Sequence, residues 1–206
     1  LAVVLSCIDS RTPSELIFDL GLGDVFSIRI AGNVISPNVL ASMEYGTAVA
    51  GAKLILVIGH TRCGAVTAAG DLACTTTSAA DATGCEHLEH IVSQIRKVID
   101  PPTCQRVPLV SGEEKVTLVD EVARRNVSRI VRQVILQSST IRKLVVDGRI
   151  AVAGALYDIC SGKIDIISGP IGADEIKYLG ASDESGDGAV TDGKLVHALA
   201  ARGSES

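Results

Sequence analysis

Two short apolar runs constrain this chain more than any other feature, because each ends in residues that bind metals. Leu54 to Ile58 reads Leu-Ile-Leu-Val-Ile, and Ala2 to Ser6 reads Ala-Val-Val-Leu-Ser. Unbroken runs this short, rich in β-branched residues, suit strands covered on both faces, as in a parallel sheet. The first run in the chain leads into Cys7-Ile8-Asp9-Ser10-Arg11, the second into Gly59-His60-Thr61-Arg62-Cys63-Gly64. If the strands are parallel neighbours, Cys7, Asp9, His60 and Cys63 meet at one C-terminal sheet edge, where open α/β sheets place their sites. An H-x-x-C pair alone is weak evidence. Two thiolates and an imidazole with a carboxylate at hand form the donor set that Zn²⁺ prefers.

The remaining pattern predicts an α/β fold: a mostly parallel central sheet of four strands plus one antiparallel edge strand, flanked by helices. Thr12-Pro13 opens a short helix to Leu20, and Val25–Ile30 is the second strand. Ser36-Pro37 starts a helix closed by Gly51, and Gly64–Ala69 is another. The stretch 71–84 reads as a polar loop, Cys85–Ile99 as a helix stopped by Asp100-Pro101-Pro102, and the following residues to Glu114 as a loop. Thr117–Gln137 is the longest helix, with Val119, Val122, Ala123, Ile130, Val134 and Ile135 inward and the pairs Asp120–Arg124 and Glu121–Arg125 outside. A helix from Ser139 stops near Gly148. Ile150–Tyr157 is the fourth strand, and Lys163–Ile167 the fifth, turned back by Ser161-Gly162. Residues 1–179 are expected to be one domain and 180–206, rich in Gly, Ser and Asp, a tail with a weak helix at Lys194–Ala201.

The 206 residues suffice for a substantial core. A net charge of −5, no Lys/Arg cluster and only three Tyr and two Phe argue against nucleic acid as partner. Mean hydropathy is high, +0.35, yet no apolar run approaches the ~20 residues of a membrane span. Six cysteines (7, 63, 74, 85, 104 and 160) in a chain this long do not make a disulfide framework. They predict a reducing, cytoplasmic setting with two thiols on metal and Cys74, Cys85, Cys104 and Cys160 as ordinary small residues. His87 and His90, three apart in a helix, have no third ligand nearby and read as solvated.

Cys7-Ile8-Asp9-Ser10-Arg11, followed 53 residues after Cys7 by His60-Thr61-Arg62-Cys63-Gly64, resembles the β-class carbonic anhydrases. Gly23-Asp24-Val25-Phe26, Arg29-Ile30-Ala31-Gly32-Asn33 and Met43-Glu44-Tyr45 extend the likeness, which runs from about Ala2 to Ile167. The resemblance implies one zinc per chain on Cys7, His60 and Cys63, and reversible hydration of CO₂ to bicarbonate. It gives Asp9 two alternatives: fourth ligand of a closed form, or partner of Arg11 when water takes that position. In the second, Asp9 and Arg11 are catalytic and orient that water; a purely structural ion pair is the bland alternative. Gly64 is implied as a backbone donor to substrate oxygens, and Phe26 and Tyr45 as pocket wall, although plain core would explain them equally well. Members with a regulatory bicarbonate pocket carry Trp three positions before the first cysteine; Val4 stands there, which favours the open form.

The family further implies a homodimer or a dimer of dimers with the pocket at the subunit interface. Its N-terminal helical arm would fall before Leu1. The likeness leans towards bacterial members, including domains fused behind sulfate-permease-type transporters, so a transporter fusion upstream is one expectation. Two other functions use the same residues: hydrolysis of a CO₂-like molecule such as carbon disulfide or carbonyl sulfide, and a non-catalytic, zinc-stabilised module of a transporter.

Overall fold

The structure, a computed structural model, describes residues 1–172 and 175–176; the predicted tail and its helix lie outside them. β1 (Ala2–Ser6) is followed by α1 (Ser14–Ile17) and β2 (Val25–Arg29). α2 (Pro37–Glu44) winds on through a π-helical turn, Tyr45–Val49, into β3 (Leu54–His60). Then come α3 (Gly64–Leu72), α4 (Ala79–Thr83), α5 (Glu89–Arg96), α6 (Pro101–Arg106) and the 26-residue α7 (Gly112–Gln137). α8 (Ser139–Val146), β4 (Ala151–Tyr157) and β5 (Ile164–Ile171) complete the described chain.

The strands form one sheet in the order β2-β1-β3-β4-β5. The first three pairings are parallel and β5 is antiparallel on the edge, as expected. Alternate residues of the inner strands face opposite sides, and both sides are buried. Val3, Leu5, Ile55 and Val57 pack with Val127, Ile130, Val131 and Val134 of α7, whereas Val4, Leu56 and Ile58 lie in a smaller cluster on the other face. This double burial explains the unbroken apolar runs.

α7 lies directly on the sheet because β3 and β4 carry glycine under it. A Cβ on Gly59 or Gly154 would come within 2.7 or 2.8 Å of Val127, closer than packed atoms tolerate. All six inward positions expected on α7 are buried.

Several expectations need correction. The 71–84 stretch holds α4, capped by Ser78, whose Oγ accepts from Asp81 N at 3.0 Å. Asp100-Pro101-Pro102 does not merely stop a helix. It starts α6, because Asp100 accepts from Thr103 N at 2.7 Å and the prolines take the first turn, where no N–H is needed. The Asp120–Arg124 pair does not form: Arg124 reaches Asp165 at 3.0 Å and Asp120 turns towards β3. Glu121–Arg125 does form, at 3.2 Å, and Arg125 also pairs with Asp100.

Cys74 and Cys104 are not free small residues but a disulfide, with Cα atoms 5.6 Å apart. α6 brings Cys104 to the end of α3, and that proximity is what a bridge requires. No helix among the described residues is long and apolar enough to cross a membrane.

Candidate metal centre

The pairing Leu5↔Val57 puts β1 beside β3 and, continued, sets Cys7 level with Gly59 and next to His60. β3 extends two residues past its apolar run, so the imidazole is fixed by the sheet itself. A turn through Thr61 and Arg62 then delivers Cys63 as the N-cap of α3. Cys7, His60 and Cys63 are 4%, 1% and 1% exposed, and their ligand atoms lie within 4.8 Å of one another. Among the described residues they are the one such group.

The donors fit a metal ion on their own chemistry. His60 Nδ1 is 2.9 Å from Thr61 O, so it donates there and leaves Nε2 with its lone pair. Nε2 is buried and has no hydrogen-bond partner. The two sulfurs are 4.0 Å apart. Their hydrogen bond pulls the Cys7 thiol down to about 4, helped by His60, and pushes Cys63 up together with burial. The pair thus holds one proton where a divalent cation would hold none. Backbone N–H groups of Ala65 and Val66, in the first turn of α3, face Cys63 and favour its thiolate.

Asp9 stands beside this group and is bound to Arg11. Arg11 Nε donates to Oδ1 at 2.8 Å, Nη2 to Oδ2 at 2.7 Å, and the Arg11 backbone N–H to Oδ1 at 3.0 Å. These bonds hold the Asp9 carboxyl well below the usual carboxylate range. Oδ2 is 4.0 Å from His60 Nε2. Of the two alternatives for Asp9, this geometry is that of the arginine-held carboxylate.

Gly64 opens α3 and is exposed, with free space where a Cβ would be. Phe26 and Tyr45 are not brought to the cysteine–histidine group. Phe26 pairs with Val3, near the far end of β1 from Cys7. With Arg29, Ala41 and Ser42 the two rings line an open groove of about 610 Å³, which meets the loop carrying Cys7 and Asp9 through Arg29. His87 and His90 are exposed, with ring centroids 6.4 Å apart, and lie outside the group.

Two supports are absent from the sequence reading. Asp120 accepts the backbone N–H of Arg62 at 2.6 Å, holding the turn between His60 and Cys63, where Arg62 has a left-handed φ of 55°. Burial pushes that carboxyl up. Arg29 and Thr12 both bind carbonyls of the loop carrying Cys7 and Asp9. The only sequence signal for Arg29 was its place in Arg29-Ile30-Ala31-Gly32-Asn33.

Residues 2–164 match the family model described as carbonic anhydrase. The chain is 34% identical over 162 residues to carbonic anhydrase 2 of Mycobacterium tuberculosis, a match covering 79% of this chain and 72% of the relative. It is 36% identical over 167 residues to a carbonic anhydrase of Mycolicibacterium smegmatis, covering 81% and 74%. Among solved structures, a tetrameric β-carbonic anhydrase of Sordaria macrospora superposes with a TM-score of 0.66 at 26% identity, over 82% of this chain and 81% of that one. A Coccomyxa β-carbonic anhydrase solved with acetazolamide shares the fold, with a TM-score of 0.68 at 22% identity over 88% of this chain and 83% of that one.

Proposed function

The chain belongs to the β-class carbonic anhydrase family, and from that premise we propose that it hydrates CO₂ reversibly to bicarbonate and a proton, using one zinc ion on Cys7, His60 and Cys63. The observation that carries this reading is the juxtaposition of three buried ligand atoms within 4.8 Å with the Asp9–Arg11 pair at their side. When bound, zinc supplies a Lewis acid that brings the pKa of a water to about 7.

The residues do the rest. Arg11 keeps Asp9 ionised and turned, so that Asp9 can accept a hydrogen bond from the attacking water and aim its lone pair at the CO₂ carbon. Gly64 offers its N–H at the start of α3 to the oxygens that gain charge. Buried apolar neighbours such as Val66 and Val34 keep bulk water away from the ligands.

Stopped-flow hydration of CO₂, run beside carbonyl sulfide hydrolysis, tests the assignment. Fast hydration with little sulfide release is expected; sulfide release without CO₂ hydration would overturn it.

β2 is an edge strand, and Tyr45 and Val49 beside it are 60% and 72% exposed. We propose that a second copy covers this face, and that Phe26 and Tyr45 serve a substrate pocket only through that partner. Light scattering should give at least a dimer; a monomer with full hydration activity would contradict the proposal. A reducing, cytoplasmic setting would keep the free thiols Cys7 and Cys63 available to metal, whereas the Cys74–Cys104 bridge is of the kind that persists in oxidising settings.

A further inference from the structure

Beyond Cys7, which is itself buried, the loop that joins the first metal ligand to the catalytic carboxylate has no apolar anchor. It is only Cys7-Ile8-Asp9, and Ile8 is 62% exposed. Two of its three carbonyls, those of Cys7 and Asp9, are held by Arg29 on β2 and by Thr12 just before α1. Arg29 Nε donates to Cys7 O at 3.0 Å and Arg29 Nη2 to Asp9 O at 2.5 Å. Thr12 Oγ1 lies 3.2 and 3.0 Å from the same two oxygens, so its single proton is shared between them. The Thr12 backbone N–H adds a bond to Asp9 O at 2.9 Å. Arg29 is in place because β2 pairs Arg29 with Ser6, immediately before Cys7; Thr12 is 2% exposed and cannot swing away.

We propose that Arg29 and Thr12 are positioning residues: together they clamp the Cys7-Ile8-Asp9 loop and so set where the Asp9 carboxylate stands relative to the Cys7 sulfur. The proposal rests on the CO₂-hydration reading for its catalytic part and on the hydrogen bonds alone for its structural part. Only a planar guanidinium presents two donors at the spacing of carbonyls two residues apart; an ammonium is a single point. Neither side chain contributes a ligand atom, so the metal stays while the carboxylate loses its aim. A displacement of about 1 Å at such a group costs about 10²-fold in rate.

The test uses zinc-loaded Arg29→Lys, Thr12→Val and Thr12→Ser, with hydrogen–deuterium exchange of the segment 7–12, zinc content and CO₂ hydration measured on each. Arg29→Lys should speed exchange in that segment alone, keep its zinc and its melting temperature, and lower kcat about 10- to 100-fold with KM nearly unchanged. Thr12→Val should do the same to a smaller degree, and Thr12→Ser, which restores the hydroxyl, should return both readouts to wild type. Unchanged exchange in Arg29→Lys and Thr12→Val would overturn the clamp. Faster exchange with unchanged kcat would overturn its positioning role. If the unaltered protein carries zinc and fails to hydrate CO₂, the functional reading falls on that result, while exchange still decides the clamp.

Discussion

Asp9→Asn is expected to lower kcat for CO₂ hydration by about 10²–10⁴ while zinc content and melting temperature stay close to wild type. The carboxylate takes all three of its bonds from Arg11 and stands outside the ligand group, with Oδ2 4.0 Å from His60 Nε2. Asparagine has nearly the same shape, and its oxygen can still accept from Arg11. Its amide nitrogen, however, replaces an acceptor with a donor, either against Arg11 Nη2 or towards the attacking water. The lone pair that should meet CO₂ is then misdirected.

The sign of the acid dependence follows from Arg11. Because it depresses the Asp9 pKa, Asp9 is ionised throughout the neutral range. Its contribution to stability is present above the unfolded carboxylate value of about 3.9 and is lost only as pH falls through the lower folded value. A fall in rate near pH 7 therefore belongs to the activated water and not to Asp9. Arg11→Ala should resemble Asp9→Asn, with added instability from a carboxylate whose side chain is only 19% exposed. Loss of zinc from Asp9→Asn at neutral pH would make Asp9 a fourth ligand. Retention of both zinc and full activity would make the pair structural.

The second large effect is on the ligands. Cys63→Ala should leave less than about a tenth of a zinc per chain after dialysis and reduce hydration to the uncatalysed rate, a loss of at least about 10⁶-fold on the usual scale of enzymes. Two donors remain, but neither is placed to bind alone. Cys7 loses the neighbour that stabilises its thiolate, and His60 Nε2 is left buried without any partner. Cys85, exposed and free, provides the control, since Cys85→Ala should change neither quantity. A Cys63→Ala protein with a full complement of zinc would contradict the assignment.

The residues that made the strands also made the site legible. β1 is apolar from Val3 to Leu5 and β3 from Leu54 to Ile58 because both their faces are buried, and their ends carry Cys7 and His60. Ligands fixed to adjacent strands need no loop geometry to be found. What the sequence concealed depends on atoms that pair across the fold. Pro101-Pro102 served as the first turn of α6 only because Asp100 capped it, and Cys74–Cys104 followed from that helix. Asp120 sat at i,i+4 from Arg124, yet it accepts from the backbone N–H of Arg62 while Arg124 pairs with Asp165. The clamp by Arg29 and Thr12 acts on backbone oxygens, which leave no trace in residue type. Phe26 and Tyr45 matched the family's pattern, but Phe26 pairs with Val3, and the groove the two rings line meets the ligand loop through Arg29.

The most direct measurement is a zinc titration of chelator-stripped protein, with the initial rate of CO₂ hydration followed by stopped flow at each addition. The rate should rise linearly and break at one zinc per chain. Protein that binds that zinc and shows no rate above the uncatalysed reaction would contradict the account.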